Sequence, residues 1–170
     1  MLRLMLPKQT VRSIYEIDLE ALKQRGIFGI MTDLDNTLVG AKVPLATPEL
    51  VHWLETVQGH GFQVVVISNN KEPRVRAFAE PLMLPFVSRA RKPLNAAFAK
   101  ALRMMSLRPD QVAIIGDQMM TDVLGGNRMG LYTILVEPIA ASDEGWMTRN
   151  VNRNLERAFI TRLRKKGWLP

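Results

Sequence analysis

There is no cysteine in this chain of 170 residues, which excludes a disulfide framework and a thiolate metal site and suits a reducing cytoplasm. Long apolar runs are missing too. The opening MLRLML is broken at once by Pro7 and Lys8, too short for a signal-peptide core, and no other uncharged run nears the roughly 18 residues of a membrane span. The expectation is therefore a cytoplasmic protein, soluble or peripheral at the inner membrane face, and not an integral one. Aromatic residues are scarce at 6% and form no run suited to stacking on bases. Acidic charge is short of basic charge, giving +7 net. That excess is local: Arg149, Arg153, Arg157, Arg162, Arg164, Lys165 and Lys166 face only Glu156 within 146–170. The rest of the chain is nearly neutral. No repeat, low-complexity stretch or linker divides the sequence, so one domain over 1–170 is expected.

What is present is a succession of short apolar runs, each followed by helical signals. The runs IFGIMT (27–32), FQVVVIS (62–68), VAIIG (112–116) and LYTILV (131–136), with a weaker PFVS (85–88), read as strands buried on both faces. Between them, Thr47-Pro48-Glu49 opens a helix that Gly59 and Gly61 close. Further helices are expected over 73–80, from Pro93 to about Met105, and over 121–127. The alternation predicts an α/β fold, a doubly wound, Rossmann-like and mostly parallel sheet of five strands, with its core at 27–140. Residues 1–26 form an extension with a possible strand at 11–17 and a helix capped by Asp18 and ended by Gly26. A basic helix is expected over about 146–168, with Val151, Leu155, Phe159 and Leu163 at four-residue spacing.

The chemistry-bearing residues sit just past the strands. Asp33 and Asp35 follow the first core run in TDLDNTLV (32–39), where open α/β sheets bind ligands. Two crowded carboxylates are costly unless a cation shares them or their pKa values separate. Ser68 ends the second run, and its hydroxyl with the N–H groups of Asn69 and Asn70 is placed to receive a phosphate oxygen. Lys92 precedes Pro93 at a helix start, a poor position for a cation unless an anion sits there. In GDQMMTD (116–122), Asp117 follows a strand and Asp122 lies five residues on. Taken singly, each also reads as ordinary: a strand-end turn, a helix cap, a solvated lysine, a first-turn acid.

As an ordered set at four strand ends, D-x-D, Ser, Lys and G-D-x-x-x-x-D resemble the haloacid-dehalogenase-like (HAD) superfamily of phosphotransferases over roughly 27–140. The resemblance implies a Mg²⁺-dependent phosphatase in which Asp33 is the nucleophile and becomes aspartyl-phosphate. It implies that Asp35 serves as acid and then base. The ion would be held by Asp33, the backbone carbonyl of Asp35 and Asp117, with Asp122 supporting the site or reaching the metal through water. Ser68, Asn69 and Lys92 would bind the transferring phosphoryl group, and Thr37 would steady the loop after the nucleophile. Neither the 32 residues between Asp35 and Ser68 nor the 23 between Ser68 and Lys92 leave room for the cap domain that many members insert. An open site goes with large substrates.

The runs TDLDNTLV, ISNNKEPRV, RARKP and GDQMMTDVLGGNRMG are similar to the phosphatidylglycerophosphate phosphatase family. That resemblance implies a lipid phosphate monoester as substrate, with Arg89, Arg91 and Arg128 near enough to the motifs to grip a second phosphate. The basic tail, flanked by Trp146 and Trp168, would either pack on the core or contact an anionic membrane. Two alternatives stay open: a phosphatase for nucleic-acid ends or phosphoproteins, and a non-enzymatic RNA- or protein-binding module on the same fold.

Overall fold

A computed structural model describes residues 2–139 and the isolated positions 161 and 165. The expected basic helix at 146–168 lies outside the described residues, Thr161 and Lys165 apart. The strands are β1 (Gln9–Val11), β2 (Gly29–Thr32), β3 (Gln63–Ile67), β4 (Phe86–Val87), β5 (Val112–Gly116) and β6 (Tyr132–Val136). The α-helices are α1 (Leu19–Gln24), α2 (Pro48–Gly59), α3 (Glu72–Ala79), α4 (Asn95–Met105) and α5 (Leu124–Met129). All strand pairs are parallel, in the order β1-β6-β5-β2-β3-β4.

The apolar runs form strands because both of their faces are covered. Ile30, Val64, Val66, Ala113 and Ile115 pack with α1, α2 and α3 on one side. Their neighbours Met31, Val65, Ile67, Val112 and Ile114 pack with α4 on the other. A period of two therefore sends successive apolar side chains into two cores. Helix α2 starts where its signals predict, with Thr47 Oγ1 accepting the Leu50 N–H at 3.2 Å. Helix α4 turns Ala97, Phe98, Ala101, Leu102 and Met105 inward at spacings of three and four. Among the described residues no helix is long and apolar enough to cross a membrane.

Among the described residues the sheet has six strands and not the expected five. The extra one, β1, is laid on β6 with Gln9 opposite Ile134. The strand expected at 11–17 is displaced because Ser13 Oγ accepts the Tyr15 N–H at 3.0 Å and bends the chain. Ile14–Glu16 becomes a 3₁₀ turn that buries Ile14. Asp18 caps α1 as expected. The helix expected at 121–127 is a π-helical turn, Met119–Val123, that runs into α5. Strands β2 and β5 are neighbours whose connections leave toward opposite edges of the sheet. Such a switch point opens a crevice at the carboxyl ends of the strands.

Candidate active site

Asp33 stays on the ladder one residue beyond β2, donating its N–H to the Ile115 carbonyl at 2.9 Å. The chain then buries Leu34 and turns at Asn36, whose φ of 64° is a left-handed conformation that asparagine tolerates. The turn is closed by the Asn36 N–H on the Val39 carbonyl at 2.6 Å. Asp33 and Asp35 are thereby sent to different partners. The Asp35 carboxylate accepts from Arg74 Nη2 at 2.9 Å and from Asn70 Nδ2 at 2.8 Å.

Asp33 instead meets Lys92. The Lys92 ammonium is buried, 2.9 Å from Asp33 Oδ1 and 2.7 Å from Asp122 Oδ1. Asp122 uses its other oxygen to accept the Gln118 N–H at 3.2 Å. Such an approach needs Gly116, since a Cβ there would lie 2.2 Å from the Asp122 carboxylate. Asp117 Oδ1 accepts from Thr37 Oγ1 at 3.2 Å. Thr37 therefore holds an acid across the crevice and does not merely steady its own loop. Among the described residues Asp117 Oδ2 is buried without a partner, a costly state for a carboxylate oxygen. One oxygen from each of Asp33, Asp117 and Asp122 lies within 4.8 Å of the others.

The electrostatics follow from that crowding. Burial draws the Lys92 ammonium down, but the Asp122 and Asp33 carboxylates outweigh it and hold the group above its ordinary value. Burial and the charges of Asp33 and Asp122 push the Asp117 carboxyl up to about 8. Burial also raises Asp122, although Lys92 opposes the shift. The ammonium gains more because it faces two carboxylates, whereas each acid shares one ammonium with its rivals. A donor set of carboxylate oxygens around an orphaned oxygen fits a hard divalent cation.

Asp33, Asp35, Ser68, Asn69 and Lys92 line one cavity of about 370 Å³. Asn69 clamps the Lys92 backbone, its Oδ1 accepting the Lys92 N–H at 2.7 Å. The Asn70 N–H, expected to receive a phosphate oxygen, is corrected: it is spent on Ser68 Oγ at 3.1 Å, two residues ahead of α3, which begins at Glu72 beside the expected 73. The hydroxyl proton of Ser68 remains available to point into the cavity. Likewise α4 begins at Asn95 and not at Pro93, so Lys92 answers to the acids of the site and not to a helix end. The Asp35 carboxylate stands apart from the three clustered acids, and its part in metal binding was expected through its backbone carbonyl.

Sequence reasoning missed Arg74, Gln118 and Thr121. The last two line the cavity. Arg74 lies in the first turn of α3, a helix that starts at the carboxyl end of β3, and that placement was the available signal. Of the three arginines set aside for a second phosphate, Arg89 and Arg91 line a second cavity beside the first. Both have left-handed backbone, with φ of 46° and 53°, at a cost of about 1–2 kcal/mol each for a residue with a Cβ. Arg128 is in the last turn of α5, which descends to the start of β6. That puts it at the opposite end of the parallel sheet, away from the motifs.

A HAD-hydrolase-like family model matches residues 89–143. The Bacillus subtilis protein named "Probable phosphatase YqeG" is 51% identical over 162 residues, 95% of this chain and 93% of that protein. An Arabidopsis thaliana protein, phosphatidylglycerophosphate phosphatase 1, chloroplastic/mitochondrial, is 29% identical over 97% of this chain. The chain spans half the length of that plant protein. Among solved structures, the cobalt-bound deoxy-D-mannose-octulosonate 8-phosphate phosphatase (YrbI) of Haemophilus influenzae superposes with a TM-score of 0.55 at 16% identity. The match covers 82% of this chain and 90% of that one, a likeness of fold.

Proposed function

The chain belongs to the haloacid-dehalogenase-like phosphatase family that includes YqeG, and on that premise we propose that it removes the terminal phosphate of phosphatidylglycerophosphate through an aspartyl-phosphate on Asp33. The observation that carries this reading is the buried group at the switch point: Asp33 and Asp122 on the Lys92 ammonium, with Asp117 clustered beside them and its Oδ2 unpartnered among the described residues.

Phosphatases of this family use a divalent cation. Here Asp33, Asp117 and the backbone carbonyl of Asp35 would hold it, with Asp122 behind them, and the all-oxygen set favours Mg²⁺. When bound, the ion offsets negative charge on the phosphoryl group. Lys92 supplies a second fixed cation at the same place. In the first half-reaction Asp33 attacks phosphorus as a carboxylate, the ester P–O bond breaks, and Asp35 gives its proton to the leaving oxygen. In the second, Asp35 takes a proton from the water that attacks the aspartyl-phosphate, releasing phosphate and the Asp33 carboxylate. Arg74 and Asn70 position Asp35 for both transfers.

Acid catalysis contributes about 10² to 10⁴, far short of the accelerations of up to about 10²¹ that monoester hydrolysis demands. Fixed charge and orientation around the phosphoryl group must provide most of the rest, which is why a lysine buried among acids belongs here. The lipid substrate rests on the plant relative's name and on an open site: the interval from Asp35 to Ser68 holds α2 and β3, and that from Ser68 to Lys92 holds α3 and β4.

The deciding experiment is a panel comparing phosphatidylglycerophosphate in detergent micelles with nucleotide, sugar and phosphopeptide monoesters and 5′-phosphorylated oligonucleotides. The lipid should give the highest kcat/KM, chelator should abolish turnover, and Mg²⁺ should restore it. A higher kcat/KM on oligonucleotide ends or phosphopeptides would overturn the lipid assignment. Turnover by a folded Asp33→Asn protein at the parental rate would overturn the nucleophile.

A further inference from the structure

The two left-handed arginines flank Ala90, which is buried. Left-handed backbone favours glycine, so arginine at both positions is a strain that glycine would relieve. What glycine lacks is the guanidinium, and both guanidinium-bearing residues are exposed along a cavity of about 440 Å³. Lys100 adds a third cation, while Val87, Leu94 and Ala97 supply apolar lining. Leu94 is 57% exposed, a large apolar side chain beside positive charge. Among the described residues no acid lines the cavity. Glu72, whose carboxylate feels the charges of Arg89 and Lys100, is engaged by Arg76.

This groove is fastened to the candidate active site. The Arg89 N–H donates to the Asn70 carbonyl and the Ala90 N–H to the Ser68 carbonyl, both at 2.9 Å. The Lys92 N–H donates to Asn69 Oδ1. The residues that line the phosphate cavity, Ser68, Asn69 and Asn70, are thus the anchors of the loop that presents the arginines. A single loop, 88–92, carries cations into two adjoining cavities.

We propose that the groove of Arg89, Arg91 and Lys100 is a second anion subsite, which takes the phosphodiester of a lipid substrate whose terminal phosphate lies at Asp33. Leu94 then meets the hydrocarbon that follows the phosphodiester. The inference deepens the lipid reading above and rests on it. It also supplies specificity: a substrate with one phosphate fills only the first cavity.

The test compares kcat/KM for three substrates: glycerol 3-phosphate, the deacylated headgroup bearing a phosphodiester and a terminal phosphate, and the dioctanoyl lipid. The parental protein should prefer the deacylated headgroup to glycerol 3-phosphate by about ten-fold or more, as expected for charge-assisted contacts. Arg89→Gly/Arg91→Gly, which relieves the backbone, should keep or raise the melting temperature and lose that preference, mainly through KM. Arg103→Ala, an exposed charge of α4 outside the groove, should retain it. Leu94→Ser should narrow the advantage of the dioctanoyl lipid over its deacylated headgroup. A preference that survives in the double glycine variant overturns the subsite, as does a parental protein that hydrolyses all three substrates equally well. Failure to hydrolyse any monoester would instead overturn the phosphatase chemistry at Asp33, and the subsite with it.

Discussion

Lys92 decides the charge of the candidate site. Its ammonium is the counter-ion for both Asp33 and Asp122, and removing one member of a buried ion pair leaves the other uncompensated. Lys92→Met should lower stability by about 3–5 kcal/mol in urea titrations. In chains that still fold, it should lower kcat by about 10²-fold or more. Gly116 makes a sharper probe, since it carries no side chain to act on a substrate. A methyl there would collide with the Asp122 carboxylate and push it from Lys92, so Gly116→Ala should reduce kcat at least about ten-fold. Gly59→Ala, at the end of α2 with open space around it, should leave kcat unchanged. The sequence marks Arg74 only by its place in the first turn of α3; that it reaches Asp35 depends on the meeting of α3 with the loop after β2.

Among the elements, β1 shows how a short strand is held without a long ladder. Asn127 in α5 donates through Nδ2 to the Leu4 and Leu6 carbonyls at 2.8 and 2.9 Å. Its Oδ1 accepts from Thr133 Oγ1 at 3.1 Å, and Thr133 Oγ1 in turn accepts the Lys8 N–H at 3.1 Å. Asn127→Ala removes two donors at once, so amide exchange in residues 4–11 should accelerate, at a cost of about 1–3 kcal/mol. Exchange in β2, β3 and β5 should change little, because those strands are central in the sheet. Elsewhere the elements depend on volume. Phe98 is fully buried in α4, and a Cβ on Gly125 would lie 2.5 Å from its ring. Phe98→Ala should therefore cost about 3–5 kcal/mol by chemical denaturation.

For the molecule as a whole, three acids are folded into one buried site before any cation arrives. In chelator, the raised Asp117 carboxyl binds its proton more tightly in the folded chain than in the unfolded one, where its ordinary value is 3.8. Its stabilising contribution is present below about pH 4 and fades as the pH rises toward about 8. The melting temperature of the chelated protein should carry that downward trend, and added Mg²⁺ should flatten it by replacing the proton. Much of this architecture was legible in the residues themselves. Apolar runs of five to seven residues can be satisfied only between two covering layers, which fixed β2, β3, β5 and β6 and the parallel winding around them. Carboxylates, a serine and a lysine placed just after such runs marked the active end of the sheet. The sequence by itself thus determined the kind of fold and the chemical inventory, because strand periodicity and strand termini are local properties of the chain. Tertiary structure alone decided that Gln9–Val11 joins the sheet, that Arg74 takes Asp35, and that Arg89 and Arg91 lie beside the site while Arg128 lies at the far end. Those outcomes depend on which loops the strand order brings together, and no local pattern encodes a distance between loops far apart in sequence.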